Sequence, residues 1–321
     1  MPRTTDAVRA AGAKAVDALP RGVGRWIRRA LGRPGPRTVS LAEFDAEFAG
    51  IGGLFETAPD EARARLERTV VLLGDTHPDD PFSEEYRAWT WDVYRRLSGR
   101  EGYDVANETS PFDLEAATSR PFPYSTGSAR TVGRDLVARG HLLRCIGEQG
   151  AAAGARAVEF GPGWGNLTGD LTAVGIDVTA VEVDANFCTL LCHRHVGPGR
   201  LQIAQQDMLA FTADAPADFA VFFESFHHCA DHLAMLRRLH DVVRPDGFVV
   251  FASEPVHDMP FPWGPRLDGL SVWSSRTYGW LELGFRTRYF DEALRRTGWR
   301  GTRRRLGATD GELDVIVAIA G

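Results

Sequence analysis

Cysteine is scarce in this sequence. Four occur in 321 residues, Cys145, Cys188, Cys192 and Cys229, and none forms a C-x-x-C pair. A disulfide framework belongs to short, cysteine-dense secreted chains, so reduced thiols in a cytoplasmic protein are the expectation. Long apolar runs are also missing. No stretch reaches the ~18 apolar residues a membrane helix needs, and the N-terminal stretch lacks the apolar segment of a secretion signal. Lysine is nearly absent: Lys14 is the single one among 37 basic residues, which reads as a coding bias. Nor is there an excess of positive charge. A net charge of −6 and a pI near 5.9 speak against a nucleic-acid-binding protein. What is present is a 44% hydrophobic content, ample for one large core and a second, smaller unit.

The charge is unevenly spread. Residues 1–37 carry nine basic and two acidic side chains, so the remainder sums to −13. Val16, Leu19, Val23, Trp26, Ile27 and Leu31 recur there at roughly helical spacing among arginines. Residues 1–40 thus form a basic arm, packed on the acidic body or lying on an anionic partner. Residues 41–150 form a helical cap or substrate region. "LAEFDAEFAGIGGLF" and "PDEARARLERTVVLL" step their apolar residues by three and four, and Ser83 caps a further helix. Residues 101–128 are irregular, and 129–149 are helical. From about 151 to 321 the character changes. "ARAVEF", "DVTAVEV", "RLQIAQQD", "DFAVFFES" and "GFVVFAS" are short β-rich runs separated by helix-length stretches, the alternation of βα units around a parallel sheet.

The first of these strands ends in "VEFGPGWGN", with Gly161, Gly163 and Gly165 followed by a helix. Glycine permits positive φ and lets a ligand approach the backbone. Such a loop, at the carboxyl end of the first strand, is where open α/β sheets bind nucleotides. The second strand ends in Glu182, 23 residues after Glu159, placed to accept from ribose hydroxyls. A dinucleotide prefers G-x-G-x-x-G, but Asn166 stands where its third glycine would fall.

The segments together resemble the class I S-adenosylmethionine-dependent methyltransferases over residues 150–321. "VEFGPGWG" is similar to the family's E/D-x-G-x-G-x-G motif, "VTAVEVD" to its ribose-binding acid, and "QQDML" to its adenine segment. "DFAVFFESFHH" and "LHDVVRPDGFVVFASEP" resemble the fourth and fifth strands with their loops, and "LDVIVAIAG" the final strand. The resemblance implies an α/β fold: a Rossmann-like, doubly wound, mostly parallel seven-stranded sheet with an N-terminal helical cap. It implies S-adenosylmethionine as cofactor, with S-adenosylhomocysteine as product. Glu159, Gly161, Gly163, Gly165, Glu182, Asp207 and Met208 would hold it.

"ESFHHCADH" (224–232) then falls at a strand-to-helix junction on the cofactor face, with Asp231 near the helix cap. Adjacent histidines diverge, no H-E-x-x-H occurs, and Cys229 has no partner cysteine, so no metal is expected. His227 or His228 is the candidate general base, and Glu224 a contact to cofactor or acceptor. "GDTHPDDPF" clusters Asp75, His77, Asp79 and Asp80 in what reads as a turn. Residues 255–285, rich in Pro, Gly and aromatics, form a lid insertion that brings His257 and Trp263 as substrate-binding candidates. Tyr124, in "SRPFPYSTGS", is a third. The expectation is a cytoplasmic O-methyltransferase acting by direct displacement on a small molecule, a sugar unit or secondary metabolite. A homodimer is allowed, and neither nucleic acid nor stable membrane insertion is expected. A nicotinamide-dependent oxidoreductase, or a non-catalytic cofactor-binding subunit, is the alternative on the same sheet.

Overall fold

The computed structural model describes residues 36–74, 76–109, 111–307 and 313–321. Most of the basic arm, and Asp75 of the acidic turn, lie outside the described residues. The chain divides into two compact units. The first takes residues up to Gly102, Val256–Thr277 and Gly284–Tyr289; the second takes Tyr103–Pro255, Tyr278–Leu283 and Phe290–Gly321.

The first unit opens with β1 (Arg37–Ser40), α1 (Leu41–Thr57), α2 (Pro59–Glu67), β2 (Thr69–Leu72) and α3 (Glu84–Ser98). Ser40 and Glu43 form a reciprocal capping box at the start of α1, which buries Phe44 and Ile51. The periodicity of "PDEARARLERTVVLL" predicts one helix, but α2 stops at Glu67. Thr69, Val70 and Val71 are β-branched and pay for helix with side-chain freedom. They pair instead with β1, in parallel, from Arg37↔Thr69 to Ser40↔Leu72. Ser83 caps α3 by accepting from the Tyr86 N–H at 3.1 Å, and left-handed Gly99 ends it.

The second unit continues with 3₁₀ turns at Val105–Asn107 and Tyr124–Thr126, α4 (Leu114–Ser119) and α5 (Ala129–Glu148). There follow β3 (Arg156–Phe160), α6 (Asn166–Val174), β4 (Asp177–Glu182), α7 (Ala185–Arg194), β5 (Leu201–Gln205) and β6 (Ala217–Phe223). After a 3₁₀ turn at Phe226–His228 come α8 (His232–Val242) and β7 (Val243–Ala252). The chain then gives the first unit β8 (Val256–His257), β9 (Trp263–Pro265), α9 (Gly269–Thr277) and most of β10 (Leu283–Arg286). It finishes with α10 (Thr287–Arg296), β11 (Trp299–Leu306) and β12 (Leu313–Ala320).

Seven strands form one sheet in the order β11-β12-β7-β6-β3-β4-β5. The five from β7 to β5 are parallel, and β12 runs antiparallel to both β7 and β11. This is the doubly wound, mostly parallel sheet expected. β3 and β6 are buried almost throughout, and β7 from Gly247 to Ala252, as a sheet covered on both faces requires. Leu142, Cys145 and Ile146 of α5 join Phe219, Val221 and Val250 in its core. That packing explains why the units part at Gly102 rather than near residue 150: α5 belongs to the sheet. Segment 255–285 is likewise divided, with 278–283 staying in the second unit. The winding reverses at β3, which has β4 on one side and β6 on the other. A crevice opens beyond the carboxyl ends of strands at such a reversal.

Candidate cofactor and active site

The loop after β3 is shaped by its glycines. Gly161, Gly163 and Gly165 have φ of +65°, +50° and +70°. A Cβ on Gly161 would stand 2.7 Å from Cβ of Ser225, and one on Gly165 2.5 Å from Cδ2 of Leu191. These two let neighbouring segments close on the loop. A Cβ on Gly163 would meet nothing within 4 Å, and this residue lines a crevice of about 660 Å³. That volume lies within the range of small-ligand sites.

Two buried carboxylates end β3 and β4. Glu159 accepts from the Thr168 hydroxyl at 2.6 Å. Burial pushes its pKa up to about 7 against that bond, with Asp170 and Glu182 adding to the rise. Glu182 accepts from Val183 N and Asp184 N through Oε1, and from Gly163 N through Oε2 at 3.1 Å. Burial raises its pKa too, and these N–H groups restrain the rise. A carboxylate has about four acceptor positions, so one on Oε2 remains for a ligand hydroxyl. Beyond β5, Asp207 and Met208 line the same crevice, as do Trp164 and Phe187, whose rings meet edge-on at 5.1 Å.

Where β6 and β7 end, the backbone is strained. Among the described residues, Glu224 (φ 55°) and Ser253 (φ 54°) are the non-glycine residues in the left-handed region, and both line the crevice. Glu254 lies between the strand ends. Its carboxylate accepts from the N–H groups of Ser225, Phe226 and His227 at 2.9–3.1 Å and stands 2.8 Å from His227 Nδ1. Burial opposes its charge, but His227 and those N–H groups hold it below the usual carboxylate range. His227 therefore faces inward and holds the 3₁₀ turn in place.

His228 does line the crevice. Its Nδ1 is 3.2 Å from Oε2 of Glu108, whose Oε1 accepts from Leu281 N at 2.7 Å. Burial works against a charged imidazole, yet Glu108, Glu282 and Glu254 raise its pKa to about 9. His228 is an imidazolium at neutral pH, already carrying the proton a base would have to take. Tyr103 also lines the crevice; burial and then the charge of Glu108 push its phenol up. Trp280 completes this wall, 6.2 Å from the His228 ring and stacked on Tyr278.

The crevice thus gathers Glu159, Gly161, Gly163, Glu182, Asp207, Met208, Glu224 and His228. Gly165 sits behind it, as the N-cap of α6. Tyr124 lines a separate, shallow depression with Arg120 and Arg194. His257 and Trp263 belong to the first unit, where Trp263 is buried and donates its Nε1–H to the Pro81 carbonyl at 2.8 Å. Among the described residues no group of three His, Cys, Asp or Glu side chains could hold a metal ion, and no helix is long and apolar enough to cross a membrane. Sequence reasoning missed Glu108, Tyr103, Glu254 and Glu282. Glu254 carried a readable signal, an acid directly after the fifth strand; Glu108 lies in an irregular stretch with no motif.

Comparison with known proteins bears on the glycine loop directly. The methyltransferase-domain family matches residues 158–251, from β3 into β7. Those residues of the chain form a methyltransferase domain. An uncharacterized methyltransferase from Oceanobacillus iheyensis is 26% identical over 158 residues, which cover 48% of this chain and 68% of that one. A ribosomal RNA small subunit methyltransferase A from Methylococcus capsulatus is 36% identical over 72 residues, but the match spans only 28% of its length and 22% of this chain. In fold, the Burkholderia thailandensis 1,6-didemethyltoxoflavin-N1-methyltransferase, crystallised with S-adenosylhomocysteine, covers 66% of this chain and 92% of its own at 19% identity, with a TM-score of 0.45. The residues present fit the cofactor of such a methyltransferase. The backbone at Gly163 is open to the crevice, the free acceptor position of Glu182 suits a ribose hydroxyl, and the Glu159 carboxyl suits an ammonium.

Proposed function

We propose that this protein transfers a methyl group to a heteroatom of a small molecule bound in the crevice beside the ends of β6 and β7. S-adenosylmethionine supplies the methyl, already activated on a positively charged sulfur. The chain's own part is then mainly placement. Glu182 would accept from the ribose, Asp207 and Met208 would flank the base, and Glu159 would lie toward the amino-acid end. Fixing the nucleophile in line with the methyl can itself supply most of the acceleration. The observation that carries this reading is the single crevice of about 660 Å³ in which the glycine loop and cofactor carboxylates share walls with Glu224, His228, Glu108 and Trp280.

Oxygen is the acceptor atom expected from the sequence, with a histidine or water taking its proton. His227 is turned toward Glu254, and His228 is protonated near neutral pH, so direct displacement without a histidine base is the mechanism these side chains support. The four cysteines are in the thiol form, which accords with a cytoplasmic setting. Thermal unfolding tests the reading. S-adenosylhomocysteine at 100 times its Kd should add about 2.7 kcal/mol of stability, and NADH none. Stabilisation by NADH alone would make the protein an oxidoreductase instead.

A further inference from the structure

Four carboxylates crowd the end of the crevice formed by β6 and β7. Glu108 and Glu224 line it directly. Behind them Glu254 lies 2.8 Å from His227 Nδ1, and Glu282 3.9 Å from His227 Nε2. Against these stand two imidazoles and Arg134, a crevice-lining guanidinium on α5 that is exposed and so screened by solvent. Even with both imidazoles protonated and Arg134 counted in full, four negative charges outnumber three positive ones. The acids that serve the cofactor, Glu159 and Glu182, sit at the tips of β3 and β4 and are not in this count. The same end presents the Trp280 indole, anchored by its Nε1–H on the Thr109 carbonyl at 3.1 Å. Carboxylates beside an aromatic face are the recognition chemistry of an organic cation.

Resting on the methyltransferase reading, we infer that the acceptor is a small amine or other basic nitrogen compound, recognised by Glu108, Glu224 and the Trp280 face and methylated on that nitrogen. An ammonium drawn into this end first gives its proton to solvent water. The nitrogen lone pair then forms the C–N bond as the C–S bond breaks, and the electron pair of that bond stays on sulfur. Positive charge moves from sulfur to nitrogen, toward the carboxylates. A negative field there favours this charge movement and lowers the barrier. An anionic oxygen acceptor would be repelled by the same field. A neutral alcohol would need a base, and the crevice histidine already holds a proton.

The test uses the full chain saturated with S-adenosylhomocysteine and three probes that share one ring: 2-phenylethylamine, 2-phenylethanol and phenylacetate. Their dissociation constants are read by calorimetric or NMR titration. The amine should bind at least tenfold more tightly than the alcohol, with the acid weaker still. Glu108→Gln and Glu224→Gln together should shrink that preference to threefold or less. Equal affinity for the three, a preference for phenylacetate, or an amine preference that survives in the double variant overturns the inference. Titration of S-adenosylhomocysteine itself keeps the two levels apart. If it binds and the amine does not, only the acceptor class fails; if it does not bind, the methyltransferase reading fails with it.

Discussion

Glu159 and His228 share an odd property: each has a raised pKa for an opposite reason. Burial keeps Glu159 protonated up to about pH 7, whereas neighbouring acids keep His228 protonated up to about pH 9. Both contribute stability that is lost as pH rises. For Glu159 the contribution is complete below 4.5 and gone above about 7; for His228 it is complete below 6.5 and gone above about 9. The ligand-free protein should therefore lose stability steadily from pH 4.5 to 9, with Glu159 accounting for on the order of 3 kcal/mol. Glu159→Gln, measured by denaturant unfolding across that range, should flatten the acid half of the profile and leave the alkaline half. An unchanged acid half would mean Glu159 is ionised in the fold. Neither property was legible in the sequence. Glu159 stood out as the acid of a motif, but its burial depends on Thr168 and the closed sheet. His228 stood out as a base, and it was Glu108, 120 positions earlier in an irregular stretch, that reversed its charge state.

At the scale of elements, most of the second unit could be read directly. The runs that became β3, β4, β6 and β7 are apolar because both faces are covered, and Ser83 and Asp231 mark helix starts by accepting from N–H groups three residues on. β2 was hidden, because a four-residue strand following a helix leaves its apolar residues in helical step. The 3₁₀ turn at 226–228 was hidden too, since it depends on Glu254, just beyond the end of β7. The glycine loop permits a sharper test. Gly161→Ala should destabilise by more than about 2 kcal/mol, because the new methyl meets Ser225, whose hydroxyl is committed to the Phe160 carbonyl at 2.6 Å. Gly163→Ala should cost only about 1–2 kcal/mol for its left-handed backbone, yet weaken cofactor binding at least tenfold, because its methyl would take up open space in the crevice proposed for the cofactor. Unfolding curves and S-adenosylhomocysteine titrations of the two variants read this contrast. Equal effects on both quantities would mean the loop is only a structural turn.

Over the whole molecule, the chain passes repeatedly between two units, and the crevice is lined by residues of the second alone. The sequence brought the carboxylates proposed for the cofactor to one crevice because they end adjacent parallel strands, a relation that order along the chain preserves. It scattered the acceptor candidates, since Tyr124, His257 and Trp263 were chosen by composition, which carries no direction. The account rests on one physical claim: the Glu182 carboxylate, held by three backbone N–H groups, offers its remaining acceptor position to an adenosyl ribose. Isothermal titration of S-adenosylhomocysteine into the wild-type chain and into Glu182→Gln tests it most directly. One site per chain, weakened at least tenfold in the variant, is the predicted result. No binding to the wild type, or equal binding to a folded variant, would contradict it.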